Sequence, residues 1–336
     1  TLDRSSSASD VYKRQVSLTA SPTKLSTPKA VVALGLLAAC TIATAAPTYE
    51  LTKFEDPRGP STNFYPTGIN NSRVVAGIAS FQHGFTLSEG AITTFDVPAA
   101  FNNFTFADDI NNSGVVAGSY RNGTGAHGFT LENGVFSTVD VPGAWNDTLI
   151  TGINDLGQVV GQYRQAGTGD FLGFVKSGDN FTLFDAAQPQ PNTFANGINN
   201  AGLVVGSVGG GGTSPRGFTY ENGHFEFFDA PGAVTTQAFG VNNLGQIVGT
   251  ASTGIFIKDG ATFTTLELPN TWNARQAFAT DITDDGVVMG YFTDNGTNLT
   301  YGFMATPTAP VPEPTSGLLF VVGSAGLFIR RKFMGR

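Results

Sequence analysis

The stretch DINNSGVVAG, residues 109–118, decides the fold because close variants of it recur along the chain. Counterparts of its first four residues, Asp-Ile-Asn-Asn, begin at residues 68, 109, 152, 197, 240 and 281. The Ile or Val inside these turns is therefore spaced by 41, 43, 45, 43 and 41 residues. Such a near-constant period indicates that one structural unit is repeated six times.

Each repeat predicts four short β-strands. The Asn-x-Gly turn reverses the chain after the first strand, because Gly adopts positive φ and Asn tolerates it; repeat one has Arg73 at this Gly position, which predicts strain or a different turn. An apolar Val-Val-x-Gly strand and a Gly-Phe strand follow, and an aromatic-acidic strand ended by Pro, such as residues 95–98, closes the repeat. Four strands in 41–45 residues match one propeller blade, whereas a β-helix rung is about half as long.

The sixth repeat lacks its fourth strand, since it stops at residues 301–304. The segment around Phe54-Glu55-Asp56-Pro57 carries the missing aromatic-acidic-x-Pro pattern. We therefore predict an all-β, six-bladed propeller over residues 46–304, in which residues 49–57 complete the last blade and leave no open edge strand.

One acidic residue ends the fourth strand of every repeat: Glu55, Asp96, Asp140, Asp185, Asp229 and Glu267. These carboxylates could bind Ca²⁺ or sugar hydroxyls, or they could bond their own turn. The structural explanation is favoured, because a residue repeated in every unit is usually needed by every unit. The acidic pairs Asp108-Asp109 and Asp284-Asp285 break the repetition and are the calcium candidates.

Composition excludes several classes of function. Between Ala46 and Pro314 there are 9 Lys and Arg against 24 Asp and Glu, a net charge of −15 (9 − 24), which disfavours nucleic-acid binding. The single Cys lies at position 40, and the three His residues show no zinc-ligand spacing. No catalytic residues emerge, and we predict that the protein is not an enzyme and has no cofactor beyond Ca²⁺.

The N-terminal region has the pattern of a secretory signal. Residues 1–15 are polar, lack any pattern and are expected not to be native. Residues 16–45 contain two Lys, an apolar core and the small residues Ala43 and Ala45, which predict cleavage before Ala46. In the alternative, Cys40 in Leu-Ala-Ala-Cys is the lipidated first residue.

The C-terminal region carries a second signal. A linker over residues 305–314 ends in Pro312-Glu313-Pro314, and residues 315–336 contain an apolar run followed by Arg330, Arg331 and Lys332. This pattern predicts a short transmembrane helix with a cytoplasmic positive end. It resembles the PEP-CTERM sorting signal, which implies recognition and cleavage by an exosortase, transient inner-membrane anchoring and release to the envelope or matrix of a Gram-negative bacterium.

The repeat itself resembles the HAF repeats of bacterial extracellular proteins. The steps His83-Gly84-Phe85 and His127-Gly128-Phe129 carry this resemblance, with Gly in place of the Ala of the namesake. It implies no catalytic residues. We therefore expect a secreted binding or structural scaffold associated with exopolysaccharide or biofilm. The alternative is a polysaccharide-binding lectin or a glycoside-acting enzyme that uses the propeller face.

Overall fold

The computed structural model describes residues 47–60, 64–80, 82–186, 192–210 and 212–308. The expected signal segments 1–15 and 16–45 and the sorting signal over 315–336 lie outside these residues. Within them, the chain forms 24 β-strands and two 3₁₀ turns, Phe101–Asn103 and Asn270–Trp272. The predicted all-β class is confirmed.

The strands follow the sequence repeats. The first twelve are β1 Thr48–Phe54, β2 Phe64–Ile69, β3 Val75–Ala79, β4 His83–Ser88, β5 Ala91–Phe95, β6 Thr105–Ile110, β7 Val116–Asn122, β8 Gly125–Glu132, β9 Val135–Val139, β10 Ala144–Ile153, β11 Val159–Gln165 and β12 Phe171–Ser177. The second twelve are β13 Asn180–Phe184, β14 Asn192–Ile198, β15 Val204–Gly210, β16 Thr213–Glu221, β17 His224–Phe228, β18 Thr236–Val241, β19 Ile247–Ala251, β20 Gly254–Asp259, β21 Thr262–Leu266, β22 Ala274–Ile282, β23 Val288–Asp294 and β24 Thr300–Thr308.

The sheets form a propeller with four separate four-stranded blades. Their strand orders are β2-β3-β4-β5, β14-β15-β16-β17, β18-β19-β20-β21 and β22-β23-β24-β1. The strands of the second and third repeats, β6 to β13, instead form one eight-stranded sheet. The prediction of six separate blades is therefore wrong. The predicted C-terminal transmembrane helix falls outside the described residues. In the described ranges no helix has the length and apolar character needed to cross a bilayer.

The eight-stranded sheet arises from one contact that the other repeats lack. Strand β10 has ten residues, and its Asp147 pairs in parallel with Ala126 of β8. The Ala126 N–H donates to Asp147 Oδ1 over 3.3 Å. Gly125 permits this approach, since a Cβ there would lie 1.8 Å from the Asn146 carbonyl oxygen.

The prediction that the N-terminal strand closes the ring is confirmed. Strand β1 pairs antiparallel with β24 from Thr48 opposite Thr308 to Phe54 opposite Gly302. The Phe54 ring lies over Gly302, where an added Cβ would meet the ring at 2.3 Å. The fourth strand of the last sheet therefore comes from the start of the described chain.

The Gly that closes the second strand of each repeat marks a bulge, as its position predicted. A Cβ at these glycines would lie 1.8–2.4 Å from a carbonyl oxygen of the neighbouring inner strand. The pairs are Gly77 with Tyr65, Gly118 with Phe106, Gly161 with Leu149, Gly206 with Phe194, Gly249 with Gln237 and Gly290 with Phe278. The ladder shifts register two residues after each of these inner-strand residues, where one residue is left unpaired. The bulge leaves one extra residue on every inner strand.

Apolar side chains fill the space between neighbouring sheets. The Phe of each Gly-Phe step is fully buried at Phe85, Phe129, Phe174, Phe218 and Phe303. Burying one such ring stabilises the fold by roughly 1.5–3 kcal/mol. The Asn-x-Gly turn keeps its form in repeat one, where Arg73 adopts φ 64° in place of Gly.

Candidate functional site

The six inner strands β2, β6, β10, β14, β18 and β22 surround a central channel. The extra residue of each bulge faces this channel: Thr67, Asp108, Thr151, Asn196, Phe239 and Thr280. Thr67 and Thr151 donate from their hydroxyls to carbonyl oxygens of the next repeat, over 2.7 and 2.6 Å. Asn196 does the same through Nδ2, over 2.7 Å to Ala238. Side chains at one repeated position thus join consecutive repeats.

At Asp108 the bond to the next repeat is made by a different side chain. In its place the hydroxyl of Ser119 bonds Ile150, donating to its carbonyl oxygen over 3.4 Å and accepting from its N–H over 3.1 Å. Burial raises the pKa of Asp108 to about 8, against the opposing hydrogen bond from Ser119. Asp108 therefore retains its proton at neutral pH.

The next residue along each inner strand is Gly in four repeats and Asp in two: Gly68, Asp109, Gly152, Gly197, Gly240 and Asp281. The glycines are required by close packing: a Cβ at Gly68 would lie 2.6 Å from the Asp109 Cα, and one at Gly240 would lie 2.7 Å from the Asp281 Cα. The backbones of Asp109 and Asp281 therefore pack directly against the neighbouring inner strands.

Each of these two carboxylates bridges consecutive repeats through backbone amides. Asp109 accepts from its neighbour Ile110 over 2.7 Å and from Ile153 of the next repeat over 2.8 Å. Asp281 accepts from Ile282 over 2.8 Å and from Ile69, also of the next repeat around the ring, over 2.9 Å. Both acids therefore serve as clamps between repeats.

The two clamps also influence each other electrostatically. Burial, with the neighbouring charge of Asp281, raises the pKa of Asp109 well above its ordinary value, although the two amides lower it. Burial raises the pKa of Asp281 to about 7, against the amides of Ile69 and Ile282. Both side chains keep partial solvent access through the channel, so their protonation can follow the pH of the medium.

An inner ring of hydrogen bonds joins the Asn turns around one end of the channel, the Asn-turn end. The Nδ2 of one turn donates to the backbone oxygen of the next, from Asn70 through Asn111, Asn154, Asn199 and Asn242 to Thr283, over 3.0–3.1 Å. The Oδ1 of each Asn also accepts two N–H groups of its own turn, as Asn111 does from Ser113 and Val115. Thr283 has no side-chain amide, so the ring is irregular between Thr283 and Asn70.

An outer ring lies one residue further along each turn and is continuous. Each backbone N–H donates to the side-chain oxygen of the next member, over 2.8–3.0 Å. Its members are Asn71, Asn112, Asp155, Asn200, Asn243 and Asp284. Burial raises the pKa of Asp155, but the hydrogen bonds from Asn200 and Asn112 outweigh this effect and hold the pKa below its ordinary value.

The four calcium candidates lie in different environments. Asp108 and Asp109 face the channel, Asp284 belongs to the outer ring, and Asp285 forms an ion pair with Arg73 over 2.5 Å. That ion pair holds the pKa of Asp285 below its ordinary value. Among the described residues, no three His, Cys, Asp or Glu side chains are grouped for a metal ion. Calcium binding by these residues stays a prediction.

Three of the six acidic residues at the ends of the fourth strands bond across their own sheet. Asp96 pairs with His83 at 2.9 Å, Asp140 with His127 at 3.0 Å and Asp229 with Arg216 at 3.0 Å. Asp185 accepts from Thr193 over 3.4 Å. Glu55 and Glu267 are exposed. The sequence did not reveal the three cross-strand partners, although His83, His127 and Arg216 each precede a Gly-Phe step.

The loop end of the channel, opposite the Asn turns, carries partly exposed aromatic side chains. Four equivalent positions near the starts of the inner strands hold Tyr65, Phe106, Phe194 and Phe278. The Tyr291 ring lies 5.3 Å from that of Tyr65 and 5.2 Å from that of Phe278. Burial and the neighbouring Tyr65 raise the pKa of Tyr291 to about 12, so it remains a neutral hydroxyl.

A second aromatic group lies in the third repeat at the same end. The guanidinium of Arg164 lies 5.4 Å from the Trp145 ring and 5.7 Å from the Phe171 ring. Trp145 is 52% exposed. A flat apolar ring beside a guanidinium combines a stacking surface with hydrogen-bond donors.

A groove of about 600 Å³ opens at the loop end between the fifth and sixth repeats. Its polar lining includes Ser252, Glu267, Asn273, Arg275 and Gln276. Thr250, opposite Gln237 in the ladder, also lines it, and within the described ranges its Oγ1 is buried with no hydrogen-bond partner. The groove has the volume of a small-molecule site. Of its polar residues, only Glu267 carried a sequence signal, as the acidic residue that ends a fourth strand.

Comparison with known proteins identifies the C-terminal signal. Residues 310–332 match the family described as the PEP-CTERM protein-sorting motif. The match includes the predicted Pro312, Glu313 and Pro314 and the basic residues 330–332. The protein therefore carries the signal of a secreted or cell-envelope protein processed by an exosortase. No curated protein shows significant sequence similarity to this chain.

Solved structures share the fold at low sequence identity. A gluconolactonase from Xanthomonas campestris is 10% identical, with a TM-score of 0.50, over 77% of this chain and 90% of that chain. Virginiamycin B lyase from Staphylococcus aureus is 13% identical, with a TM-score of 0.42, over 80% of this chain and 90% of that chain. The prediction that the protein is not an enzyme does not hold, because a protein with this fold, the gluconolactonase, is an enzyme. At 10% identity the likeness shows the fold alone and assigns no reaction.

Proposed function

We propose that this exosortase-sorted protein acts outside the cell by binding extracellular polysaccharide at the loop end of its propeller. The observation that carries the proposal is the polar groove of about 600 Å³ between the fifth and sixth repeats. The HAF-repeat and PEP-CTERM resemblances support it, because both families are extracellular and the second is associated with exopolysaccharide. Binding there would make the protein a scaffold in the matrix or envelope.

The groove chemistry suits sugar hydroxyls. Glu267 supplies acceptors, Arg275 supplies donors, and Gln276 and Asn273 supply both. The Thr250 side chain also lines the groove. Leu266 and Leu268 add apolar wall for the C–H faces of a sugar ring. A site with few polar groups on apolar walls fixes the orientation of its ligand.

The charge of the chain favours a neutral polymer. The net charge of −15 between Ala46 and Pro314 repels an acidic polysaccharide at low ionic strength. The nearby aromatic side chains, Tyr65, Phe278 and Tyr291, offer further stacking positions along the same end of the propeller. We therefore expect neutral saccharides to bind in preference to uronic-acid polymers.

A glycan array carrying neutral and acidic bacterial exopolysaccharide fragments tests the proposal. The double variant Glu267→Gln, Arg275→Ala removes charged groups from the groove. Its matched control, Glu221→Gln, changes an exposed carboxylate at the hairpin end of β16. We expect wild type and control to bind neutral fragments, and the groove variant to bind them at least about tenfold more weakly.

Two results contradict the proposal. One is the absence of saccharide binding by the folded wild-type protein. The other is equal binding by the wild type and the groove variant, which would place the site elsewhere. Thermal melting of all three proteins checks that the groove variant is folded.

A further inference from the structure

One residue after the Gly or Asp of each inner strand, a backbone amide lies beside the channel. These six amides form three equivalent pairs, and a carboxylate bridges two of the pairs. Asp109 clamps Ile110 and Ile153, and Asp281 clamps Ile282 and Ile69. The third pair consists of Ile198 and Val241. Its clamping position is Gly197, which has no side chain.

We propose that the channel binds a small monocarboxylate, such as formate or acetate, across the amides of Ile198 and Val241. The ligand would occupy the position that the side chains of Asp109 and Asp281 occupy in the other two pairs. This site lies inside the channel and is independent of the groove at the loop end.

Strand register directs the third pair of amides into the channel. Ile198 lies opposite Val204 and Val241 opposite Ile247, in the register that places Ile110 opposite Val116. The following turn residue donates in the same way in each case, Asn199 to Leu203 and Asn242 to Gln246. In an antiparallel pair, N–H groups alternate between facing the partner strand and facing away. The Ile198 and Val241 amides therefore face away from their partner strands, as those of the clamped pairs do.

The channel has room for such a ligand. The cavity that reaches Gly197, Ile198, Gly240 and Val241 measures about 80 Å³. One water molecule needs roughly 10–15 Å³ by this measure, so the space fits the three or four non-hydrogen atoms of formate or acetate. A Cβ at Gly197 would meet the Phe239 carbonyl oxygen at 2.5 Å. A side chain on residue 197 would therefore require a backbone shift.

The carboxylates around the cavity make its affinity for an anion depend on pH. The titratable side chains that line the cavity are Asp108, Asp109, Asp155, Asp281 and Asp284, and no Lys, Arg or His among the described residues lines it. An anion is repelled while Asp109 and Asp281 are ionised. Protonation of these two clamps reduces the repulsion, although Asp155, whose pKa is held below its ordinary value, stays ionised. Affinity should therefore rise as the pH falls below about 7, the value to which burial raises the pKa of Asp281, until the ligand itself takes up a proton.

Amide chemical shifts of the isotopically labelled wild-type protein test the proposal directly. Titration with sodium acetate at pH 5 should move the Ile198 and Val241 amide signals, while those of Ile110 and Ile153, already clamped by Asp109, serve as internal controls. At pH 8 the dissociation constant should be at least about tenfold weaker, as expected for binding linked to one proton. Acetamide, which is neutral, should show no such pH dependence.

A crystal of the wild-type protein soaked in acetate at pH 5 gives the second measurement. We expect planar density with one oxygen near each of the two amides. Water alone at that position, equal shifts at all four amides or equal affinity at pH 5 and pH 8 would overturn the proposal. The variant Gly197→Asp should lose the acetate response, and if it fails to fold the wild-type measurements still decide.

Discussion

The Asn-turn end and the loop end of the channel are formed by the same six inner strands, yet they differ in regularity. At the Asn-turn end, equivalent residues make equivalent hydrogen bonds in nearly every repeat. At the loop end, the connections differ in length and composition, and the groove and the Trp145 group each occur in one place. Repeated residues therefore maintain the ring, whereas departures from the repeat create the groove and the exposed aromatic group.

The largest loss of stability is expected from a substitution at one of the repeated glycines that pack against a bulge. Gly161→Ala places a Cβ 1.8 Å from the Leu149 carbonyl oxygen, which is backbone and cannot move freely. We expect the free energy of unfolding to fall by about 3 kcal/mol or more. Chemical denaturation measures the loss.

Gly123→Ala is the matched control for that prediction. Gly123 is exposed, and a Cβ there would meet no atom within 4 Å. Its unfolding free energy should stay within about 0.5 kcal/mol of the wild type. If both variants are equally stable, close packing of the repeated Gly is not what holds the ring.

An intermediate effect is expected where the regular part already departs from its pattern. Asp108→Asn introduces the side chain that repeat four uses at the same position, Asn196. The pKa of Asp108 is raised from 3.8 to about 8 on folding. Its favourable contribution is therefore complete below pH 4 and is lost as the pH rises to about 8. The variant should be more stable than the wild type at pH 8, by roughly 1–3 kcal/mol, and the difference should shrink toward pH 4.

Asp285→Asn supplies a control of opposite sign. The ion pair with Arg73 lowers the pKa of Asp285, so this carboxylate stabilises the fold above its ordinary pKa and loses that effect in acid. Thermal melting from pH 4 to pH 8 should separate the two variants. Parallel profiles for both would show that the buried position of Asp108 does not control its protonation.

The smallest effect should come from completing the inner ring. Thr283→Asn supplies the amide that the sixth repeat lacks, and it can donate to the Asn70 carbonyl oxygen as the other five turns do. We expect a gain of about 0.5–1.5 kcal/mol, the usual net contribution of one hydrogen bond. A melting temperature at or below that of the wild type would show that the irregular step at Thr283 is already satisfied.

The sequence predicted the features that depend on local repetition. The period, the Asn turns, the close approach at Gly118 and the closing strand around Phe54 all follow from short motifs whose physical requirements are strict. The eight-stranded sheet was missed because a single contact between Ala126 and Asp147 produces it. The clamps at Asp109 and Asp281 were detectable as Asp in a position that is Gly in the other four repeats. Their bridging role depends on the channel geometry, which no local motif encodes.

Strand β24 gives the propeller a mechanical property. It lies between β23 and β1 and runs to Thr308, two residues before the match to the sorting motif begins. A pull on the tail acts along this strand and loads its two hydrogen-bond ladders in shear, so that many bonds share the force. A tethered protein of this design would resist traction from the cell surface until both ladders slip together.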